Sequence, residues 1–151
     1  AYGHLEQHEA AIAHARSALA LAPRSADAHN SLCRALILAA RWDEAQPACA
    51  AGQAIDPMDL ALSVNLANTY LLQGRQEQAW RWYEQAIGLM DNPQDLQDGL
   101  QGDLEIFQRR GWQPELTARA RAEWLPRAQA WLRAVEQARP LAAQAESHDK
   151  A

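Results

Sequence analysis

Apolar residues recur along most of the chain at steps of three and four, the spacing that places side chains on one face of an α-helix. Leu62, Leu66 and Tyr70 show the pattern clearly. Glycine and proline interrupt it, for example at Gly74 and Pro57, where helices stop and restart. The pattern therefore predicts short amphipathic helices, each of about 13 residues or ~20 Å.

The pattern also repeats with a fixed period. Ala11, Ala45 and Ala79 are separated by 34 residues each, and Pro23 and Pro57 keep the same step. A longer series holds that step and then reaches its last member after 37 residues, as if three residues had been inserted near position 92: Tyr2, Leu36, Tyr70 and Phe107. Such a period predicts stacked helix pairs with small residues at the seams.

These columns resemble the tetratricopeptide repeat family. The clearest repeat spans residues 60–92 and carries the family's pattern at Leu66, Ala67, Tyr70, Gly74, Ala79, Tyr83, Ala86 and Leu89. The preceding repeat has Cys33 and Ala40 where the family usually has glycine. The resemblance implies an all-α fold, a right-handed solenoid of antiparallel helix pairs.

The repeat register predicts one array over residues 1–140. Its parts are a partial repeat (1–25), two repeats (26–59 and 60–92), a degenerate repeat (93–125) and a capping helix (126–139), followed by a tail (141–151). Pro126 favours a helix start at that point. The alternative is one long helix that starts at Pro114 and is kinked at Pro126.

In the family that the chain resembles, the first helix of each pair lines a concave surface. The resemblance implies a peptide-binding groove lined by Asn30, Arg34, Ile37, Leu38, Asn65, Asn68, Leu71 and Leu72. An asparagine amide both donates and accepts, so Asn30, Asn65 and Asn68 are suited to holding the backbone of an extended peptide. The other interpretation is that these asparagines only keep a helix face solvated.

Charge and composition exclude several classes of protein. The 14 basic and 19 acidic residues give a net charge of −5, which disfavours nucleic-acid binding by the chain as a whole. Apolar runs such as 35–40 are far shorter than the roughly 20 residues of a membrane span. Arginine supplies all but one of the basic residues, which suggests a bacterial protein from a GC-rich genome.

Candidate chemistry is sparse. The sequence contains no phosphate-binding glycine loop, no nucleophile elbow and no zinc-binding helix motif, so we expect no enzymatic activity and no cofactor. His4 and His8 are four residues apart, but the repeat register places them at a turn, where this spacing would not align the two rings. Zinc would also need further ligands, so we expect no metal site.

Cys33 and Cys49 are expected to face each other across one helix pair. They are either two buried thiols or a disulfide, which would be reasonable only in an exported protein. The compartment is left open, with the cytoplasm favoured over the periplasm.

The expected function is a protein-interaction module that binds an extended peptide segment of a partner protein. The alternatives are a secretion or assembly chaperone of the same repeat type and the non-catalytic docking part of a larger enzyme. Self-association through the open N-terminal edge of the array is a further expectation.

Overall fold

The structure, a computed structural model, describes the backbone of residues 2–149 and the side chains of residues 3–139. Within this range it is all-α, as the sequence predicts. The helices are α1 (Tyr2–Leu21), α2 (Ala26–Leu38), α3 (Trp42–Ile55), α4 (Leu60–Leu72), α5 (Gln76–Gly88), α6 (Pro93–Asp95), a π-helical turn (Leu96–Gln101), α7 (Gly102–Arg110) and α8 (Pro114–Asp149). The chain divides into two compact units, unit 1 (Ala1–Ala86) and unit 2 (Ile87–Ala151).

Unit 1 is built from helices that pack against their neighbours in the sequence. The helix α2 contacts α1 and α3, α3 contacts α4, and the first helices of two successive pairs, α2 and α4, also touch. Equivalent residues start these two first helices. The Ser25 side chain accepts a hydrogen bond from the backbone N–H of Ala28, and the Asp59 side chain accepts one from Leu62. The 34-residue period therefore extends to the helix caps.

Small residues lie at the seams of α3 and α5, where the sequence predicts them. Ala45 and Ala79 are both 0% exposed. Ala11, in the same column, is exposed, so its predicted burial is wrong. The reason is that α3 has α2 and α4 as neighbours, whereas the neighbour recorded for α1 is α2.

The helix α1 also corrects the expected partial repeat. No turn separates two helices near His4 and His8, because α1 runs without a break from Tyr2 to Leu21. Glu6 occupies the repeat position at which Gly74 adopts a left-handed conformation with φ of 78°. A residue with a side chain favours the right-handed helix over that conformation, so the helix continues.

Unit 2 ends in one long helix. A separate capping helix was expected to begin at Pro126, but α8 begins at Pro114 and its backbone continues to Asp149. The single long helix, the alternative in the sequence analysis, is therefore the observed arrangement. Its buried residues explain the continuity, because the stripe crosses the proline in steps of four without a change of face: Ala120, Trp124, Ala128 and Leu132.

Candidate functional site

Three polar side chains join the first helices of the two repeats in unit 1. Asn65 on α4 donates from Nδ2 to Oδ1 of Asn30 on α2 at 2.7 Å. Arg34, one turn after Asn30 on α2, donates from Nη1 to Oδ1 of Asn65 at 3.5 Å. The sequence places all three in its candidate groove, and the structure brings them together. We call Asn30, Arg34 and Asn65 the polar cluster.

The members of the polar cluster differ in exposure. Asn65 is only 5% exposed, whereas Asn30 and Arg34 are half-buried. Asn65 uses its amide as donor and acceptor at the same time, so it links the other two side chains. Asn30 and Arg34 are therefore the members of the cluster that retain surface toward solvent.

The predicted groove is not an open surface along its whole length. Five of its eight residues are buried: Ile37, Asn65, Asn68, Leu71 and Leu72. Their expected outward orientation is wrong. Asn68 is a core residue whose Oδ1 accepts a 2.7 Å hydrogen bond from the buried Tyr83 hydroxyl on α5, as a buried tyrosine hydroxyl requires.

A signal for this burial is present in the sequence. The helix α4 contains no charged residue and reads LALSVNLANTYLL. A helix that lacks a charged face is usually buried on all sides, and here every position from Leu62 to Thr69 is buried. Its repeat register alone suggested an exposed face, but its composition points to the interior. Of the predicted groove, Asn30, Arg34 and Leu38 retain partial exposure.

A disulfide lies directly behind the polar cluster. Cys33 on α2 and Cys49 on α3 are bonded, with their Cα atoms 5.2 Å apart, and both residues are 0% exposed. Two buried free thiols, one of the two arrangements considered from the sequence, are therefore not observed. The Cys49 Sγ atom also lies 3.8 Å from the hydroxyl of Thr69 on α4. The cross-link thus borders all three helices of this part of unit 1.

The loop after α2 forms a charged cleft that the sequence analysis did not identify. The cleft has a volume of about 230 Å³ and includes Arg41, Asp43, Glu44 and Gln73. Arg41 donates to Glu44 and, at 3.2 Å, to Glu9 on α1. The hydrogen bond from Arg41 lowers the pKa of Glu44, and the same bond raises the pKa of Arg41. These charges neutralise one another, so the cleft is an ionic contact between helices.

Unit 2 contains a second cleft, of about 240 Å³, between its π-helical turn and α8. Leu96 and Leu132 supply apolar surface, and Arg133 and Glu136 lie at the rim on α8. The degenerate repeat gave no sequence signal for it, because the cleft depends on the π-helical turn and on the continuation of α8 past Pro126. Neither cleft brings a nucleophile together with a general base.

His4 and His8 share one face of the continuous helix α1, so the turn expected there does not separate them. Within the described residues, no three His, Cys, Asp or Glu side chains are grouped closely enough to hold a metal ion. In the same part of the chain, no helix combines the length and the apolar character needed to cross a membrane.

Comparison with known proteins gives one family. Residues 4–62, which include α1, α2 and α3, match the family model described as tetratricopeptide repeat. No curated protein matches the sequence significantly. Tetratricopeptide repeats generally mediate protein–protein interaction and are typically non-catalytic. The match coincides with the helices whose caps and seams follow the 34-residue period. Over residues 4–62, the chain belongs to the tetratricopeptide repeat family.

Proposed function

We propose that unit 1 is a protein-interaction module that binds an extended segment of a partner protein at the exposed side of the polar cluster. The observation that carries this proposal is the pair of hydrogen bonds from Asn65 to Asn30 and from Arg34 to Asn65, which spans the first helices of two successive repeats. The pair fixes Asn30 and Arg34 at one place on the surface. Leu38, one turn after Arg34 and half-buried, adds apolar surface beside them.

The chemistry of these groups indicates what they bind. A guanidinium group donates to carbonyl and carboxylate oxygens, and an asparagine amide pairs with a peptide N–H or C=O. A peptide segment with an acidic residue offers both kinds of partner. Nucleic acid is disfavoured by the net charge of −5. We further propose that these residues carry no catalytic function and no cofactor.

The energetics predict a weak complex. A neutral hydrogen bond contributes about 1 kcal/mol and a charged one ~1.5 to 3 kcal/mol. Micromolar binding requires about 8 kcal/mol. Because Leu71 and Leu72 are buried, the apolar contribution expected from the groove is reduced to Leu38 and its surroundings. The affinity of this site alone should therefore be weaker than micromolar.

A peptide library tests the proposal. Wild-type protein and the variants Asn30→Ala and Arg34→Ala are used to select from a phage-displayed library of random peptides. We expect the wild type to enrich a shared motif with an acidic residue, and both variants to lose that enrichment. The variant Arg24→Ala, in the exposed loop after α1, is the matched control and should keep it. Equal enrichment by wild type and Arg34→Ala would refute the assigned site.

Self-association through α1 stays a separate proposal. Ala11 and Ala18 are exposed on this helix, and Leu5 is 63% exposed. In the equivalent columns of α3, Ala45 and Gly52 are buried at a seam, so the same face of α1 is suited to receive a helix. Light scattering over a range of concentrations measures the mass directly. A monomer at every concentration would contradict self-association and leave the peptide site unaffected.

A further inference from the structure

The disulfide of unit 1 is attached to the polar cluster on two sides. On α2, Cys33 lies in the sequence between Asn30 and Arg34, the two exposed members of the cluster. On α4, the Thr69 hydroxyl lies 3.8 Å from the Cys49 Sγ atom and donates a 2.8 Å hydrogen bond to the backbone oxygen of Asn65. The third member of the cluster is thus connected to the other end of the cross-link.

We propose that the Cys33–Cys49 disulfide is a positioning element for the polar cluster, and that it is closed once, during folding in an oxidising compartment. The inference rests on the proposed function in one respect only, namely that the polar cluster is the part of unit 1 that contacts a partner. The closure and its structural effect can be measured without any partner.

The closure needs an oxidant, which is a disulfide-bearing donor such as a dithiol oxidase. The thiolate of one cysteine attacks a sulfur of the donor disulfide, forms a mixed disulfide and releases the first donor thiolate. The thiolate of the second cysteine then attacks the sulfur of the first, which forms the Cys33–Cys49 bond and releases the second donor thiolate. Two protein thiols lose their protons and two electrons, and one donor disulfide becomes two thiols.

Burial decides between a permanent cross-link and a reversible switch. Both cysteines are 0% exposed, and thiol–disulfide exchange requires a thiolate to approach a sulfur atom. A reductant therefore reaches this bond only when unit 1 opens. The bond accordingly forms before the helices close over it, which requires an oxidising compartment at the time of folding. The expectation that favoured the cytoplasm is replaced here by an exported location.

The cross-link acts on the cluster by fixing α2 relative to α3. The bonded cysteines are 16 residues apart and hold the two helices with a Cα–Cα distance of 5.2 Å. With α3 also contacting α4, this constraint keeps Asn30 and Arg34 opposite Asn65. Without the bond, α2 can shift along α3, and the 2.7 Å hydrogen bond from Asn65 to Asn30 is the first contact to lengthen.

The first experiment measures the bond itself. The protein is produced in an oxidising compartment and alkylated with iodoacetamide, with and without dithiothreitol, in its native state and in guanidinium chloride. We expect no alkylation without reductant in either state. With dithiothreitol, the native protein should stay unmodified, while the denatured protein should gain two adducts. Two adducts on the denatured protein without reductant, or on the native protein with it, would overturn the proposal.

The second experiment measures the positioning. The side-chain amide signals of Asn65 are followed by NMR in the wild type and in the double variant Cys33→Ala/Cys49→Ala. We expect the Asn65 amide protons of the double variant to exchange about tenfold faster and to change their chemical shift. Its unfolding temperature should fall by roughly 10 °C. Unchanged Asn65 signals would show that the cross-link does not position the cluster.

The variant Ala128→Gly provides the matched control. It removes a buried methyl group from α8 in unit 2, away from the disulfide in the sequence, and should lower stability without changing the Asn65 signals. Should the double variant fail to fold, the alkylation experiment still decides the closure, because it uses the unaltered protein. Neither measurement involves a partner, so a failure of peptide binding would leave both results standing and would count only against the proposed function.

Discussion

Ala40 and Gly74, which are 34 residues apart, share the same left-handed backbone conformation, with φ of 59° and 78°. Each residue follows the first helix of its pair. The backbone N–H of Arg41 then donates to Leu36 at 2.9 Å, and that of Arg75 donates to Tyr70 at 2.8 Å. The turn is therefore identical in both repeats, although only one of them has the residue that adopts it without steric cost.

This relationship predicts that Ala40→Gly stabilises unit 1. The left-handed conformation costs a residue with a Cβ atom about 1 to 2 kcal/mol, and the added backbone freedom of glycine returns part of this to the unfolded state. We expect a net gain of about 0.5 to 1 kcal/mol in the free energy of unfolding, measured in urea. Ala39→Gly, at a φ of −84°, is the control and should destabilise. A loss of stability in Ala40→Gly would contradict the strain.

The seam between α3 and α4 makes a second prediction. A Cβ atom at Gly52 would lie 2.7 Å from Cδ2 of the buried Leu62, so Gly52→Ala must push the two helices apart. We expect a loss of about 1 to 3 kcal/mol in the free energy of unfolding. At Gly88 a Cβ atom would meet nothing within 4 Å. Gly88→Ala should therefore be neutral or stabilising by up to ~1 kcal/mol, and equal effects of the two substitutions would be evidence against a tight seam.

The agreement between sequence and structure follows the regularity of the repeats. The 34-residue period correctly predicts helices α2 to α5, because each has a capped start and a buried stripe set by local spacing. Exposure was not predictable in the same way. Whether Asn68 or Leu71 faces solvent depends on what packs over α4, and the repeat register contains no information on that. The absence of charge in α4 was the better indicator.

The buried hydrogen bond between Tyr83 and Asn68 is the next testable feature. Tyr83→Phe keeps the ring but removes the hydroxyl that donates to Asn68 at 2.7 Å. We expect a loss of about 1 to 2 kcal/mol, because a buried acceptor loses its donor. Tyr70→Phe is the control, since the Tyr70 hydroxyl is only half-buried and accepts a long 3.4 Å bond from Gln46. Thermal unfolding should rank the Tyr83 variant lower, and the reverse order would contradict this assignment.

The ion pair of Arg41 and Glu44 makes unit 1 sensitive to acid. The hydrogen bond from Arg41 lowers the pKa of Glu44 in the folded state. A carboxylate with a lowered folded pKa stabilises the protein above its unfolded pKa, and this contribution disappears as the pH falls through the folded pKa. We expect an NMR titration to show Glu44 ionising below the ordinary range of a glutamate. Arg41→Ala should raise that pKa, and an unchanged titration would mean that the pair does not form in solution.

Pro126 lies inside α8, where it lacks the N–H that would otherwise donate to the preceding turn. The helix nevertheless continues, because Trp124 and Ala128 remain buried on one face on either side of the proline. Packing therefore overrides a local preference that the sequence had suggested would end the helix. It follows that Pro126→Ala should restore one hydrogen bond and stabilise unit 2 by up to about 3 kcal/mol.

Hydrogen exchange across α8 measures this effect directly, with slower exchange expected on both sides of the substituted position. Pro114→Ala is the matched control, because Pro114 starts the helix and its missing N–H would have no partner within the helix. That variant should change stability little. If Pro126→Ala instead left exchange unaltered, α8 would consist of two helices that meet at Pro126, and the shared stripe from Ala120 to Leu132 would need a different explanation.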